Sequence, residues 1–219
     1  MPIYDPTCFD VADVQTAKRI ILTPEYASTE ERWLRETPAH IETIIMECRL
    51  EPGQVVLDYG CGIGRIAREL IARAGVIVIG VDISRNMRQL ALDYVANDDR
   101  FICVSPRAFD DLASSGLRVD AAFAVWVLQH CIKPQIDSRR IRHALKPGGR
   151  FHVVNNVYRA VPTDAGWTND GIDIRDLLNG EFRETNYFPL PAELVPQEQF
   201  RRYTFCATYE NALPPSGAT

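Results

Sequence analysis

The residues with the clearest chemical meaning lie in a glycine-rich segment that follows a short apolar run. Residues 55–57 are apolar, Asp58 ends the run, and three glycines follow at alternate positions from Gly60 to Gly64. Glycine has no Cβ, so a ligand can lie against the main chain and a positive φ costs little. A second apolar run ends at Asp82, and a carboxylate at that place suits the hydroxyls of a ribose. These residues predict a pocket for a nucleotide or nucleoside.

The hydrophobic pattern predicts the elements that hold this segment. Residues 55–57 are typical of a buried parallel strand. Apolar side chains in 66–74 recur at helical spacing, so the glycine loop opens into a helix whose first backbone N–H groups are free. Residues 76–81 repeat the strand pattern, and Ser84 is suited to cap the next helix. From there to Asn156 strands and helices alternate, which predicts a mostly parallel sheet with helices on both faces.

The glycine loop is compatible with three interpretations. Gly62-Ile-Gly64-Arg-Ile-Ala67 satisfies the G-x-G-x-x-G/A dinucleotide pattern, with Asp82 about twenty residues further on, which is typical of a nicotinamide-dependent oxidoreductase. Asp58-x-Gly60-x-Gly62-x-Gly64 instead resembles motif I of the class I S-adenosylmethionine-dependent methyltransferases. A glycine pattern alone is also compatible with a tight structural turn, so the later part of the chain has to decide.

Two later segments extend the resemblance to the methyltransferases. Residues 119–130 resemble the fourth-strand segment of that family, and residues 145–154, which begin Leu-Lys-Pro-Gly-Gly, resemble its turn into the fifth strand. Together with the two predicted strands that end at Asp58 and Asp82, these segments make four motifs that follow the order of the family between about residues 53 and 156. A nicotinamide enzyme has no reason to carry the last two. The chain is therefore identified, by resemblance, as a class I methyltransferase.

This resemblance implies a fold, a cofactor and a reaction. The implied fold is α/β: a Rossmann-like, doubly wound, seven-stranded, mostly parallel sheet with its last strand antiparallel, helices on both faces and an N-terminal helical lid. The cofactor is S-adenosyl-L-methionine, and the reaction is in-line transfer of its methyl group to a small-molecule acceptor. We expect one domain over 1–219, divided into the lid (1–50), the cofactor-binding core (51–156), an acceptor-side loop with a C-terminal hairpin (157–210) and a disordered tail (211–219).

Outside the core the sequence predicts simpler elements. Residues 1–24 are expected to be irregular, and Ser28-x-x-Glu31 is a capping box that opens a helix carrying Trp33. Thr37-Pro38 is expected to start a second helix. Beyond the core we predict a loop over 159–171, a short helix over 174–178 and strands over about 182–188 and 200–209.

The family resemblance also implies particular cofactor contacts. Asp58 is expected to organise the glycine loop, the loop to admit the methionine part, and Asp82 to hold the ribose. The third strand, 100–104, ends without the acid that holds the adenine amino group in many family members, so Ser105 or the nearby main chain takes that contact. The predicted cofactor residues are Asp58, Tyr59, Gly60, Cys61, Gly62, Gly64, Asp82, Ile83, Met87, Ser105, Ala108, Phe109, Ala124 and Trp126.

His130 is the predicted catalytic base. It follows the fourth strand on the carboxyl side, where ligands sit in open α/β sheets, and imidazole titrates near neutral pH. The alternative is that it only bonds to main chain and holds its loop. His152 is expected to be structural, and His143 and His40 are expected to be exposed to solvent.

Aromatic and amide residues near the same sheet edge are the candidates for acceptor binding. We predict this role for Tyr26, Trp33, Trp126, Asn155 and Tyr158. Each has a simpler alternative: Trp126 fills the core, Trp33 anchors its helix and Asn155 shapes a turn. Trp167, in the predicted loop over 159–171, is expected to belong to a second gate.

Composition limits the classes of function. The chain has 219 residues, 46% of them apolar, and a net charge of −5, so nucleic acid is not expected as a partner. The six cysteines form no C-x-x-C pair and no histidine stands at zinc spacing, which predicts free thiols, no metal and a cytoplasmic location. No apolar stretch is long enough to predict a membrane span. A nicotinamide-dependent oxidoreductase and a non-catalytic methyltransferase-fold subunit remain as alternatives.

Overall fold

A seven-stranded mixed sheet organises residues 2–212, the part of the chain that the computed structural model describes. The strands in chain order are β1 (Val55–Tyr59), β2 (Ile77–Val81), β3 (Phe101–Val104), β4 (Val119–Val125), β5 (Leu145–Asn156), β6 (Val161–Thr163), β7 (Gly166–Thr168), β8 (Arg183–Phe188) and β9 (Thr204–Glu210). The spatial order is β3-β2-β1-β4-β5-β9-β8, whereas β6 and β7 form a separate hairpin. β1 to β5 are parallel, and β9 runs antiparallel to both of its neighbours. The predicted seven-stranded, mostly parallel sheet with an antiparallel last strand and flanking helices is confirmed, whereas the N-terminal lid stays a prediction.

Eight α-helices surround the sheet in the described residues. They are α1 (Val14–Ile21), α2 (Thr29–Cys48), α3 (Arg65–Ala74), α4 (Arg85–Tyr94), α5 (Pro106–Ser114), α6 (Pro134–Ala144), α7 (Ile174–Glu181) and α8 (Glu198–Arg201). Short 3-10 helices span Pro6–Phe9 and Leu128–His130. Among these helices, none is long and apolar enough to cross a bilayer.

The core lies on both faces of the sheet because successive strand residues point to opposite sides. Leu57 of β1 packs in a cluster with Phe109 of α5 and Ile141 of α6. Its neighbour Val56 packs on the other face with α2 and α3, through Ile41 and other residues. The continuous apolar runs seen in the sequence are therefore strands that are buried on both faces.

The N-terminal region contains more regular structure than predicted. Within residues 1–24, expected to be irregular, Asp13 caps α1 by accepting a hydrogen bond from the Thr16 backbone N–H at 2.8 Å. The predicted helix start at Thr37-Pro38 is wrong, because α2 continues through it. Buried side chains on both sides of the proline hold α2 to the sheet, and this packing outweighs the missing N–H group. The capping box at Ser28 is confirmed.

The region after β5 also differs from the prediction. Residues 159–171, predicted as a loop, contain the β6–β7 hairpin, which pairs with the N-terminal region through a bridge between Tyr4 and Thr163. The predicted short helix lies within α7. The strand predicted over 200–209 begins only at Thr204, because α8 occupies the preceding residues. The predicted tail lies, from residue 213 onward, outside the described residues.

Candidate active site

A cavity of about 890 Å³ lies at the carboxyl ends of β1, β2 and β4. Tyr59 and Gly60 enter its wall from the end of β1, Asp82 from the end of β2, and Trp126 from the end of β4. Ligands bind at this edge in open α/β sheets, because the loops that leave neighbouring parallel strands meet there. The sheet topology therefore gathers motifs that are far apart in the sequence.

The glycine loop forms one wall of the cavity through its main chain. Gly60 and Gly62 have φ of +78° and +53°, in the left-handed region that favours glycine. A Cβ on Gly60 would lie 2.3 Å from Val127 Cγ2, and one on Gly62 would lie 2.8 Å from Ile21 Cδ1. We had expected the missing Cβ atoms to make room for a ligand. The structure shows that they also make room for these two protein side chains.

Asp82 is held by two backbone donors. Its Oδ2 accepts a hydrogen bond from the Gly62 N–H at 2.9 Å, and its Oδ1 accepts one from the Ser84 N–H at 2.8 Å. Burial raises the pKa of this carboxyl above its usual value, and the two backbone hydrogen bonds act in the opposite direction. An ionised carboxylate has about four lone-pair sites, so both oxygens can still accept from a diol. The carboxylate is thereby oriented at the edge of the glycine loop.

Asp58 lies beneath the loop rather than in the cavity wall. It is almost completely buried, and its Oδ2 has no hydrogen-bond partner among the described residues. Burial raises its pKa to about 8. Arg65, the first residue of α3, is also buried and donates a hydrogen bond to Thr37 Oγ1 at 3.2 Å, and burial lowers its pKa to about 10. The loop therefore rests on a buried carboxyl and a buried guanidinium.

A chain of hydrogen bonds sets the tautomer of His130. Gln129 Oε1 accepts from the Asn156 backbone N–H at 3.2 Å, so its Nε2 faces His130 Nε2, 3.2 Å away, as a donor. His130 Nδ1 lies 2.7 Å from the Ala160 carbonyl oxygen and must donate to it. The Nε2 atom consequently carries the lone pair. Burial lowers the pKa of His130, which keeps the imidazole neutral at pH 7.

Three of the predicted acceptor residues line the cavity: Tyr26, Trp126 and Tyr158. Tyr26 comes from the segment between α1 and α2, and its hydroxyl donates to Glu36 Oε1 at 2.6 Å. Trp126 has a φ of +62°, a strained conformation for a bulky side chain. Such strain often marks a functional position, which agrees with its place in the wall.

Trp33 and Asn155 lie outside the wall, contrary to the prediction. Trp33 packs edge-on against Tyr94, with ring centroids 6.2 Å apart, and so anchors α2 to α4. Asn155 is fully buried, and its Oδ1 accepts from the Gln129 backbone N–H at 3.3 Å. Trp33 therefore anchors its helix, as the alternative for it stated, whereas Asn155 lies within β5 and does not shape a turn.

The other histidines fall into two groups. His143 is exposed, as predicted. His152 is fully buried, with Nδ1 3.0 Å from Thr208 Oγ1, and burial lowers its pKa to about 4. His40 is also buried, so the prediction that it faces solvent is wrong. Its position on the apolar face of α2 follows from the uninterrupted helix, which the sequence interpretation had divided at Pro38.

The comparisons with known proteins agree with this geometry. Residues 56–149 match the family model described as a methyltransferase domain. The ubiquinone biosynthesis O-methyltransferase of Coxiella burnetii is 29% identical over 125 residues, which cover 56% of this chain and 53% of that protein. Sterol methyltransferase-like 2 of Botryococcus braunii is 35% identical over 118 residues, covering 53% of this chain and 29% of that protein. Residues 56–149, which make up less than half of the chain, are therefore similar to the S-adenosylmethionine-dependent methyltransferases.

A solved structure shows the same fold as this chain. It is a proposed sarcosine dimethylglycine methyltransferase from Galdieria sulphuraria, 13% identical, with a TM-score of 0.64 and coverage of 93% of this chain and 92% of that one. At this identity the likeness concerns the fold alone. The chain spans about half the length of the Coxiella burnetii relative. The match to a methyltransferase model disfavours the nicotinamide hypothesis for the glycine loop.

The predicted cofactor residues divide into two groups. Those in the cavity wall are Tyr59, Gly60, Gly62, Asp82, Ile83, Met87 and Trp126. Those outside it are Asp58, Cys61, Gly64, Ser105, Ala108, Phe109 and Ala124. At the end of β3, Ser105 Oγ caps α5 by accepting from the Ala108 N–H at 3.2 Å, and Pro106 is the residue of that segment in the wall.

Sequence reasoning missed several residues of the cavity wall. Gln129 directly precedes the predicted base, and its polar side chain at the end of an apolar strand was an available signal. Phe9, Arg32 and Arg159 lie in segments that carry no motif, so no local pattern could have identified them. In the described part of the chain, no group of three metal-ligating side chains comes together.

Proposed function

We propose that this chain transfers a methyl group from S-adenosyl-L-methionine to a small-molecule acceptor by in-line displacement. The observation that carries the proposal is the continuity of one cavity, whose wall includes the glycine loop, Asp82 and His130. The main chain at Gly60 and Gly62 and the oriented carboxylate of Asp82 fit an amino-acid tail and a ribose diol. Asp58 is buried beneath the loop and unpaired at Oδ2, and because burial raises its pKa to about 8 it is mostly neutral until a nearby cation favours its ionised form. When bound, the cofactor supplies a methyl group on a sulfonium.

His130 is proposed as the base for an acceptor that must lose a proton. Its neutral imidazole presents the Nε2 lone pair, while the Nδ1 hydrogen bond to Ala160 fixes the ring. Gln129 is proposed as a positioning residue, because its amide donates to Nε2 and its own orientation is set by Asn156. An acceptor hydroxyl that replaces the Gln129 donor at Nε2 would be placed for deprotonation.

The N-terminal segment, residues 1–50, is proposed to cover the cofactor as a lid. Phe9, Ile20, Ile21 and Tyr26 from this segment contribute to the cavity wall. Their side chains exclude water from the reaction, which strengthens the electrostatic interactions inside the cavity.

Calorimetric titration with S-adenosylhomocysteine, followed by a transfer assay with methyl-labelled cofactor, tests the proposal. We expect saturable binding and transfer of label to a small molecule. The absence of binding at millimolar ligand would refute the proposal. Binding without transfer to any acceptor would favour the non-catalytic subunit, which the missing acid at the end of β3 keeps as the alternative.

A further inference from the structure

The cavity extends beyond the part that the glycine loop borders. Pockets for one ligand span about 300–1,000 Å³, and this cavity lies near the upper end of that range. The cavity measures about 890 Å³. Beyond the glycine loop, its wall extends to residues of β7, α8 and the segment before β9. On the basis of the proposed function, this extension is where the acceptor binds, and its chemistry indicates the class of acceptor.

The charges on the N-terminal side of the cavity are neutralised by other side chains. Arg32 donates to the buried Glu36 at 2.6 Å and lies 3.9 Å from Glu25. The Tyr26 ring centroid lies 4.8 Å from the guanidinium carbon of Arg32 and 5.6 Å from that of Arg35. The two carboxylates and two guanidinium groups near this ring sum to no net charge, and Arg35, whose Nε and Nη2 have no partner among the described residues, lies outside the wall. This side offers no excess charge to a charged acceptor.

The charges on the opposite side are paired as well. Arg159 forms an ion pair with Asp170, and its Nη1 also donates to the backbone carbonyl of Ile132 at 2.5 Å. Asp137 accepts from Arg140 Nη1 at 2.5 Å. In the described part of the wall, the remaining carboxylate is Asp82, which lies beside the glycine loop. A phosphate, carboxylate or ammonium on the acceptor would lose its hydration without gaining a partner.

Exposed apolar side chains surround the opening of the cavity. They come from separate segments, contribute to its wall and are between 36% and 63% exposed: Ile132, Tyr158, Trp167, Phe200 and Tyr203. The Trp167 ring lies 4.7 Å from the His130 ring and 6.2 Å from that of Phe9. The apolar surface thus continues inward to the proposed base. Clustered exposed apolar surface of this kind is typical of a ligand-binding groove.

We propose that the acceptor is an uncharged hydroxyl compound with a large apolar, aromatic-sized body. The body packs against Trp167 and its apolar neighbours, and the hydroxyl lies at His130 Nε2. In the reaction, the hydroxyl oxygen forms a bond to the methyl carbon while the carbon–sulfur bond breaks and its electron pair stays on sulfur. The hydroxyl proton passes to His130 Nε2, and from the imidazolium to water.

Titrations of the complex with S-adenosylhomocysteine test this proposal. The probes are 2-naphthol, its charged analogue 6-hydroxynaphthalene-2-sulfonate, and phosphoethanolamine. We expect 2-naphthol to bind at least about tenfold more tightly than either charged probe, and to become 2-methoxynaphthalene when S-adenosylmethionine is present. Equal or tighter binding of a charged probe, or no binding of 2-naphthol, would overturn the proposal. Binding without methylation would overturn the assignment of the hydroxyl.

A matched pair of variants tests the location of the acceptor. Trp167→Ala should weaken 2-naphthol binding up to about tenfold, because an aromatic contact is lost, and should leave S-adenosylhomocysteine binding unchanged. Tyr187→Ala is the control, since Tyr187 is also exposed but lies outside the wall. Equal effects of the two variants would overturn the location. Failure of S-adenosylhomocysteine to bind the native protein would instead refute the proposed function itself.

Discussion

Replacing Asp82 with asparagine should weaken the binding of S-adenosylhomocysteine by roughly 10- to 150-fold. Asparagine preserves the shape of the side chain but removes the charge and one of the two acceptor oxygens. A hydrogen bond to a charged group contributes about 1.5–3 kcal/mol, and about 1.4 kcal/mol corresponds to a tenfold change in affinity. The new amide N–H₂ would also face a backbone donor, from Gly62 at 2.9 Å or from Ser84 at 2.8 Å in the native arrangement. Leaving that buried donor unpaired should destabilise the fold by about 1–3 kcal/mol.

The assay is isothermal titration calorimetry, with urea unfolding to measure the loss of stability. Asp93→Asn is the matched control, because Asp93 lies on the exposed side of α4 and should not affect the affinity. The calorimetry is carried out well below the unfolding midpoint, so that a loss of affinity reports on the site. An Asp82→Asn protein that is folded and binds with native affinity would refute the assignment of this carboxylate to the ribose.

Three other measurements test the rest of the reasoning. Gly60→Ala should reduce the free energy of unfolding by about 2–5 kcal/mol, because a positive φ costs about 1–2 kcal/mol and the contact with Val127 adds about 1–3 kcal/mol. Gly53→Ala is the control: its φ is also positive, at +82°, but nothing lies within 4 Å of the added Cβ, so it should show the cost of the positive φ alone. Equal losses of stability for the two variants in urea unfolding would contradict the contact with Val127. His152 has a pKa lowered to about 4, so the unfolded chain binds its proton first as the pH falls. At about 1.36 kcal/mol per pKa unit, this difference contributes about 3 kcal/mol to the free energy of unfolding. The contribution should be present above pH 6.5 and lost as the pH falls towards 4. A His152→Gln protein whose free energy of unfolding depends on pH as steeply would contradict this. His130→Ala should lower kcat for a hydroxyl acceptor about 10²- to 10⁴-fold without changing cofactor affinity. The rate of the native protein should fall at acidic pH as His130 gains a proton. An unchanged kcat would exclude His130 as the base.

The core of the fold and the arrangement of the glycine loop beside Asp82 could be predicted because their determinants are local. The glycine loop needs left-handed φ angles within a few residues, and only glycine adopts these readily. Strand runs such as residues 55–57 are apolar throughout because both faces of a parallel sheet are covered. A carboxylate at the end of the neighbouring strand then reaches the loop by sheet geometry alone, as Asp82 does.

The acceptor side could be predicted only in part, because it depends on segments that meet from distant places in the chain. The sequence pointed to Tyr26 and Tyr158, but Phe9, Arg32 and Arg159 were identified only from the folded chain. A side chain pairs with a partner across a long sequence separation only once the sheet has set the positions of both. No local pattern carries that information.

By itself, the sequence determined the alternation of strands and helices between residues 55 and 156, the glycine loop and the resemblance to the methyltransferases, since each depends on residue types at short spacing. Tertiary structure decided which polar residues are buried and what they face. Packing against the sheet carried α2 through Pro38 and buried His40, and a hydrogen bond to a distant carbonyl set the tautomer of His130. Tertiary structure also decided which charged side chains surround Tyr26. The free energies of burial and of hydrogen bonding depend on neighbours in space, and the order of residues along the chain does not specify these neighbours one by one.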